Sequence, residues 1–277
     1  MANISAADVY KLRDLTGAGV MDCKGALVES EGDFDKAIEI LRKKGQKLAM
    51  KRADREANEG VVVAAIDDAA TFGAVLMMNC ETDFVAKNDD FNASAKSFLD
   101  AAIAFKVTNL DALLALQIDG RSINDLVTDL IGKIGEKISV SHYEFIEAPL
   151  VSFYNHHSHR ISTLVGFTQA GDKVAEAGKD VAMQIAAMNP VAVDKDFVPQ
   201  SVIDKEIEIG KEQARQEGKP EEMLEKIAQG KLNKFFKEST LLNQDFIKDG
   251  SMTVGKYLTT VSPDLSVTKF FRLALGE

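Results

Sequence analysis

The sequence predicts a modular α+β protein: a small helical unit first, a mixed α and β middle, and a helical hairpin late in the chain. Three observations carry that prediction. The apolar period is helical over the first 45 residues and strand-like between residues 60 and 80. The order hairpin-then-helix then recurs from residue 150. Residues 201–236 are helical again, in two runs broken by Gly218-Lys219-Pro220. A chain of 277 residues is long for one core, so two or three compact units are expected.

The elements follow in order. Ser5-x-x-Asp8 is a capping box, in which hydroxyl and acid each bond to the other residue's backbone N–H; Val9, Leu12 and Leu15 then share one face. Thr16-Gly17-Ala18-Gly19 breaks that helix, because glycine readily takes positive φ. A second helix is expected from about Val20 to Ser30. Asp33 caps a third, with Phe34, Ala37, Ile38 and Leu41 in phase and Gly45 as its expected end. So small a core predicts marginal stability for this unit alone. The basic stretch Arg42, Lys43, Lys44, Lys47, Lys51, Arg52 and Arg55 reads as a solvated helix end and linker, with an anionic partner surface as the other reading.

Residues Gly60–Ile66 and Phe72–Cys80, about an Asp67-Asp68 turn, read as a β-hairpin. The stretch Cys80-Glu81-Thr82-Asp83-Phe84-Val85-Ala86 follows, then a helix from Asp90 to about Ala104, with Asp89-Asp90 read as its cap. Helices at Leu110–Leu116 and Ile123–Lys133 and a strand at Ile138–Phe145 complete the first half. Leu150–Tyr154 and Ile161–Phe167 form the second hairpin, and a helix from about Ala175 to Met188 ends before Pro190. The late hairpin has Ile203, Ile207, Gly210 and Ala214 on one helix, and Met223, Leu224, Ile227, Ala228, Leu232 and Phe235 on the next. Its apolar seam packs either on a partner or on the protein's own core.

Composition narrows the function. A net charge of −10, no tryptophan and four tyrosines argue against nucleic-acid binding. The longest uncharged runs, such as Ala69–Cys80, are too short to span a bilayer, so no membrane partner is expected. Met1-Ala2-Asn3-Ile4-Ser5 has no basic flank and no apolar core, and does not read as a signal peptide. Cys23 and Cys80, far apart and without metal spacing, point to a reduced, cytoplasmic protein. No phosphate-binding glycine loop, dinucleotide fingerprint or nucleophile elbow occurs. His156, His157 and His159 cluster in an expected turn, where a solvated loop is favoured over a metal site. Cys80 with His156 or His157 is a conceivable nucleophile pair, but a cysteine closing an apolar strand is more often inert. No catalytic residue, metal or cofactor is therefore assigned.

Two long ungapped motifs carry a resemblance. Leu12-Arg13-Asp14-Leu15-Thr16-Gly17-Ala18-Gly19-Val20-Met21-Asp22-Cys23-Lys24 and Asn79-Cys80-Glu81-Thr82-Asp83-Phe84-Val85-Ala86-Lys87 resemble the two signatures of the bacterial elongation factor Ts family. Lys133-Ile134-Gly135-Glu136, Gly218-Lys219-Pro220, Gln244-x-Phe246-Ile247-x-Asp249 and Thr253-Val254-Gly255 match further along, in order, across nearly the whole chain. The resemblance implies a ubiquitin-associated-like three-helix domain with its linker at 1–54. A core of two related α+β subdomains would follow at 55–145 and 146–277, with a helical hairpin inserted at about 195–236.

It also implies a guanine nucleotide exchange factor, not an enzyme, acting on elongation factor Tu. The contact would fall on that partner's GTPase domain, with its C-terminal domain as a further candidate, and the hairpin would serve self-association. On this resemblance the partner-binding residues are Thr82, Asp83, Phe84 and Val85, then Arg13, Val20, Met21, Ile134, His156 and Ile247. Phe84 would insert between partner side chains and Asp83 would act near the partner's magnesium. Plain core packing is the competing reading for Val20, Met21 and Ile134. The turn Asn155-His156-His157-Ser158-His159-Arg160 is longer than the family's, so His157 is an alternative to His156. The family's usual Gly-Glu-Gly and last helix are replaced by Leu275-Gly276-Glu277, so contacts of that helix are expected to be absent or supplied otherwise. The rival readings are a helical scaffold for ubiquitin-like or ribosomal partners, in which Phe84 is an ordinary helix-start residue, and a Cys80-His enzyme.

Overall fold

The computed structural model describes residues 4–277, so Met1-Ala2-Asn3 of the signal-peptide reading lie outside the described residues. Three helices open the chain: α1 (Ala6–Thr16), α2 (Val20–Glu29) and α3 (Phe34–Arg52). Ser5 and Asp8 form the complete capping box, and Gly17 ends α1 at φ 67°. Val9, Leu12, Cys23, Ala26, Leu27 and Ala37 make the core of this unit. Gly45 does not end α3, as its propensity suggested. The helix runs on to Arg52, and Gly45 is buried where α3 crosses a later helix. That crossing extends the small core, and it makes the basic stretch helical over most of its length.

The first α+β half comprises β1 (Glu59–Ile66), β2 (Phe72–Cys80), α4 (Asp83–Ala86), α5 (Asp89–Ala104), α6 (Leu110–Ala115), the short pair β3 (Gln117–Ile118) and β4 (Arg121–Ser122), α7 (Ile123–Ile134) and β5 (Ser139–Glu147). The second comprises β6 (Leu150–Asn155), β7 (Ile161–Phe167), α8 (Asp172–Met188), α9 (Gln200–Gln216), α10 (Glu221–Ser239), the pair β8 (Asp245–Phe246) and β9 (Asp249–Thr253), α11 (Val254–Val261) and β10 (Val267–Ala274). Each half builds a three-stranded antiparallel sheet, ordered β1-β2-β5 and β6-β7-β10. In both, the last strand lies beside the second strand of the hairpin, so the recurrence seen in the pattern extends to topology. Strand β10 is an element the pattern reading did not place.

The sheets face each other through Val62, Ala64, Val75 and Met77 on one side and Val151 and Leu164 on the other. Helices α5 and α7 cover the outer face of the first sheet, and α8 and α11 that of the second. Strand β2 is therefore buried on both faces along its whole length, which explains its unbroken apolar run. Gly73 sits where the sheets meet: a Cβ there would lie 2.9 Å from Leu164 and Val151 side chains. The free edge of β1 is not left open. The Asn155 side chain accepts from Ala64 N (2.8 Å) and donates to Ala64 O (2.9 Å), while Val62 N donates to His159 O (2.8 Å).

The late hairpin settles its seam internally. Gly210, Ala214, Leu224, Ala228 and Leu232 are buried where α9 and α10 pack chiefly on each other. A Cβ on Gly210 would stand 3.1 Å from Ala228 Cα, so the glycine sets how closely the two helices approach.

Candidate functional site

Strand β2 ends at Cys80, and the chain turns at once into the four-residue helix α4. Thr82 caps it, with Oγ1 accepting from Val85 N at 3.4 Å. So short a helix cannot hold itself, because nucleation fixes several dihedrals for one hydrogen bond. Val85 and Ala86 pack partly on the first core, and that fixes the underside. At the far end, Asn92 Nδ2 donates to Ala86 O and Asn88 O, both at 2.9 Å. Asn88, not Asp89-Asp90, caps α5; those acids fill its first turn. Phe84 points outward and is 82% exposed, the most exposed of the large hydrophobic side chains among the described residues. Beside it, Asp83 is exposed and bonds Lys87 Nζ at 2.6 Å. That bond and the lysine's charge hold the Asp83 carboxyl below its ordinary value.

Two carboxylates hold the strand end from which this turn springs. Glu136 Oε2 accepts from the backbone N–H groups of Glu81 and Thr82, both at 3.1 Å, and its Oε1 accepts from Thr82 Oγ1 at 2.7 Å. Gly135 makes this possible: it ends α7 in the left-handed conformation at φ 84°, and the chain reverses so that Glu136 faces the turn. Glu81 reaches the other way. Its Oε1 accepts from Arg52 Nη1 and Lys137 N, both at 2.6 Å, and its Oε2 from Arg55 Nη1 at 3.2 Å. Burial alone would raise the Glu81 pKa; the Lys137 N–H and the two guanidinium groups outweigh it and hold the group below its ordinary value. Lys137 Nζ completes the knot on Ala53 O and Arg55 O, at 2.7 and 2.8 Å. Arg52 and Arg55 are therefore both tied to Glu81, Arg52 partly buried and Arg55 still exposed to water. Neither glutamate was assigned a role from the sequence, although Glu81 lies within the 79–87 signature and Glu136 within the Lys133–Glu136 match.

The N-terminal candidates adjoin this region. Val20 and Met21 are 40% and 75% exposed, so the core-packing reading fails for both. Arg13 is exposed as well. The Gly17 turn between α1 and α2 rests on Lys133 of α7, whose Nζ pairs with Asp90 at 2.8 Å. Turn, Lys133 and α5 thus form one continuous surface leading to α4. Between the three-helix unit and α7 runs a groove of about 570 Å³, with Leu15, Ala18 and Ile38 in its walls and Arg42, Lys47 and Lys51 among its cations. Ile134 is half-buried against the first core, in keeping with the packing reading.

The remaining candidates sit on the second half. The His156 turn is tied to the edge of β1, and Arg160 pairs with Glu59 opposite Cys80, so this turn lies at the same end of the first sheet as α4. His156 is half-buried, with Nδ1 at 2.7 Å from Ser158 Oγ and its ring 4.1 Å from that of the exposed His157. Ile247 is 40% exposed, and its N–H donates to the buried Gln184 Oε1 at 2.8 Å. Gln184 and Gln244 form a buried amide pair, and Gln244 Nε2 also bonds Met188 O and Glu238 O. Phe246 stacks on Tyr257 at 4.2 Å and Thr253 caps α11, so this whole motif serves to hold the Ile247 loop.

Cys80 is a poor nucleophile. It is fully buried, donates to Thr82 O at 3.2 Å, and its thiol is pushed up to about 12 by burial and by the Glu136 charge. Among the described residues no helix is long and apolar enough to cross a membrane.

Comparison with known proteins gives one answer. The family model described as Elongation factor TS matches residues 81–277. Similar proteins include the Elongation factor Ts of Amoebophilus asiaticus, 52% identical over 274 residues that cover 99% of each chain. The Elongation factor Ts of Christiangramia forsetii is 52% identical over 276 residues, the full length of both. That of Chlorobium phaeobacteroides is 43% identical, again over the full length of both.

Proposed function

The chain belongs to the elongation factor Ts family, and on that premise we propose that it is the guanine nucleotide exchange factor for elongation factor Tu, working in the cytoplasm without covalent chemistry of its own. The observation that carries the reading is Phe84: a large apolar side chain, 82% exposed, on a turn braced at both ends. An exposed phenylalanine held so firmly has use only where another surface receives it.

Docking buries Phe84 between side chains of the GTPase domain. Asp83 then leaves Lys87 and approaches the groups that hold the partner's magnesium. Magnesium tolerates little disturbance of an octahedral oxygen shell, so a carboxylate arriving there loosens metal and β-phosphate together. The factor thus stabilises the empty GTPase. Linkage makes the effect reciprocal: nucleotide that is weakened by the factor weakens the factor in turn, so incoming GTP expels it. Burial of a whole phenylalanine contributes roughly 1.5–3 kcal/mol, about 8- to 60-fold in affinity once scaled to the exposed share of Phe84. A shift of about 10⁴ needs roughly 5.5 kcal/mol, so other surfaces must contribute. Arg13, Val20 and Met21, the turn of His156 or His157, and Ile247 are the proposed ones, with the half-buried Ile134 as a further candidate. The domain division proposed is 1–54, 55–145 and 146–277, with the hairpin as a site of self-association.

The test is stopped-flow release of fluorescent GDP from elongation factor Tu. The parent should accelerate release, and folded Phe84→Ala and Asp83→Ala should be clearly slower. No acceleration by the parent over the basal rate would refute the exchange reading. The scaffold reading makes a different claim, that Phe84→Ala lowers stability; its exposure speaks against that.

A further inference from the structure

We propose that Glu136 and Glu81 are positioning residues for nucleotide exchange: Glu136 aims the Asp83-Phe84 turn, and Glu81 locks that turn to the end of α3, so that the three-helix unit and the Phe84 probe meet the partner as one rigid body. The inference rests on the exchange reading above.

Helix α4 has four residues, none of them buried, so packing alone does not set its direction. Three donors at its root converge on one carboxylate: Glu81 N, Thr82 N and Thr82 Oγ1, all on Glu136. A carboxylate accepts all three at once, since it has acceptor sites on both oxygens and no donor to oppose an N–H. Fixing the two N–H groups fixes the peptide planes that launch the helix. Fixing the hydroxyl orients the side chain that caps it. Phe84 follows two residues later, so a small rotation at Thr82 swings its ring.

Glu81 belongs to the same strand end but turns towards the end of α3, where Arg52 and, just beyond the helix, Arg55 hold it and Lys137 bonds the Ala53 and Arg55 carbonyls. Lys137 is adjacent to Glu136. The two carboxylates therefore alternate along one connected set of bonds, from the N-terminal unit, through Glu81 and Lys137, to Glu136 and the turn. The second tie of the N-terminal unit is the glycine crossing of α3 and α7, and α7 is the helix that ends in Gly135-Glu136. Both routes from that unit thus converge on Glu136. A surface spread over two modules pays an entropy penalty on docking unless its parts are already aligned, and such alignment is what this network supplies.

The test is a double-mutant cycle between Glu136 and Phe84, read as accelerated release of fluorescent GDP from elongation factor Tu by the full-length chain. Glu136→Ala is paired with Phe84→Ala, and circular dichroism and urea midpoints are recorded for each. If Glu136 works by aiming Phe84, the phenylalanine loses its worth once the aim is lost: Phe84→Ala should slow the parent by about tenfold or more and the Glu136→Ala protein by less than about twofold. Glu136→Gln should recover most of the activity, because its oxygen can accept both N–H groups while its amide donates to the hydroxyl. The same cycle between Glu81→Ala and Val20→Ala should show coupling between the modules. Additive effects of Glu136→Ala and Phe84→Ala in folded proteins would overturn the proposal and leave the exchange reading standing. A parent that fails to accelerate release would remove the exchange reading itself. Should Glu136→Ala not fold, the Glu136→Gln protein decides: near-parental activity with an undiminished Phe84→Ala effect supports the proposal, whereas a clear but measurable loss in a folded Gln variant that Phe84→Ala deepens by the same factor as in the parent overturns it.

Discussion

Consider an alanine placed at Gly132, where α7 meets α3. The new Cβ would stand 3.2 Å from Gly45 Cα and 3.8 Å from Gly45 N. Both are backbone atoms, which cannot rotate aside. From the other side, a Cβ on Gly45 would stand 3.2 Å from Thr128 O and 3.6 Å from Gly132 Cα. Two effects compete. Replacing glycine by alanine inside a helix is favourable by about 1 kcal/mol. Overpacking a close contact is unfavourable by roughly 1–3 kcal/mol. The sum for Gly132→Ala is therefore about 0–2 kcal/mol of destabilisation. In the double variant with Gly45→Ala the two methyls face each other, the helices must separate, and the effects should exceed the sum of the single ones.

The assay is urea unfolding at matched m-values, with Gly230→Ala as reference: Gly230 lies inside α10, and a Cβ there meets nothing within 4 Å. The reference should gain about 0.5–1 kcal/mol. If Gly132→Ala shifts the midpoint upward as far as Gly230→Ala does, the crossing has slack and does not hold the N-terminal unit to the core. The same variants should show slower GDP release from elongation factor Tu, since separation of α3 from α7 also moves the Arg52 anchor of Glu81.

Other outcomes follow from the same contacts. Iodoacetamide at neutral pH should label Cys80 of the native protein far more slowly than in urea, since a thiol raised from 9.0 to about 12 loses about 10³-fold in thiolate; rapid native labelling would revive the nucleophile reading. The Glu81 carboxyl is held below its ordinary value, so its contribution to stability is present above about pH 4–5 and lost as pH falls through the lowered folded value. Urea midpoints of parent and Glu81→Gln should accordingly differ at pH 7 and converge in acid, and a constant gap would contradict the ion-pair account. Gly210→Ala should weaken the α9–α10 pairing, with a lower melting temperature than Gly230→Ala, because its Cβ would meet Ala228 Cα at 3.1 Å.

Much of this protein is local, and local features were legible along the chain. The Ser5-Asp8 capping box, the Asp33 cap, the turn at Asp67-Asp68 and both hairpins depend on residues a few positions apart. The signature stretch at 79–87 was legible as well, since its apolar strand, threonine cap and exposed phenylalanine are consecutive. What the tertiary structure alone decided is what each of these faces. Gly45 reads as a helix end by propensity and becomes a crossing point because Gly132 lies opposite, 87 positions further on. Strand β10 has no clear pattern and exists because β7 offers it a free edge. The seam of the late hairpin could have served a partner or the body, and the match of Gly210 to Ala228 turns it inward. Glu136 is one acid among many until the left-handed Gly135 brings it to Thr82, 54 positions earlier. A cap or a turn is fixed by the energies of neighbouring residues, whereas a crossing, a sheet edge or a brace is fixed by which distant surfaces exclude water together, and only the folded chain brings those surfaces into contact.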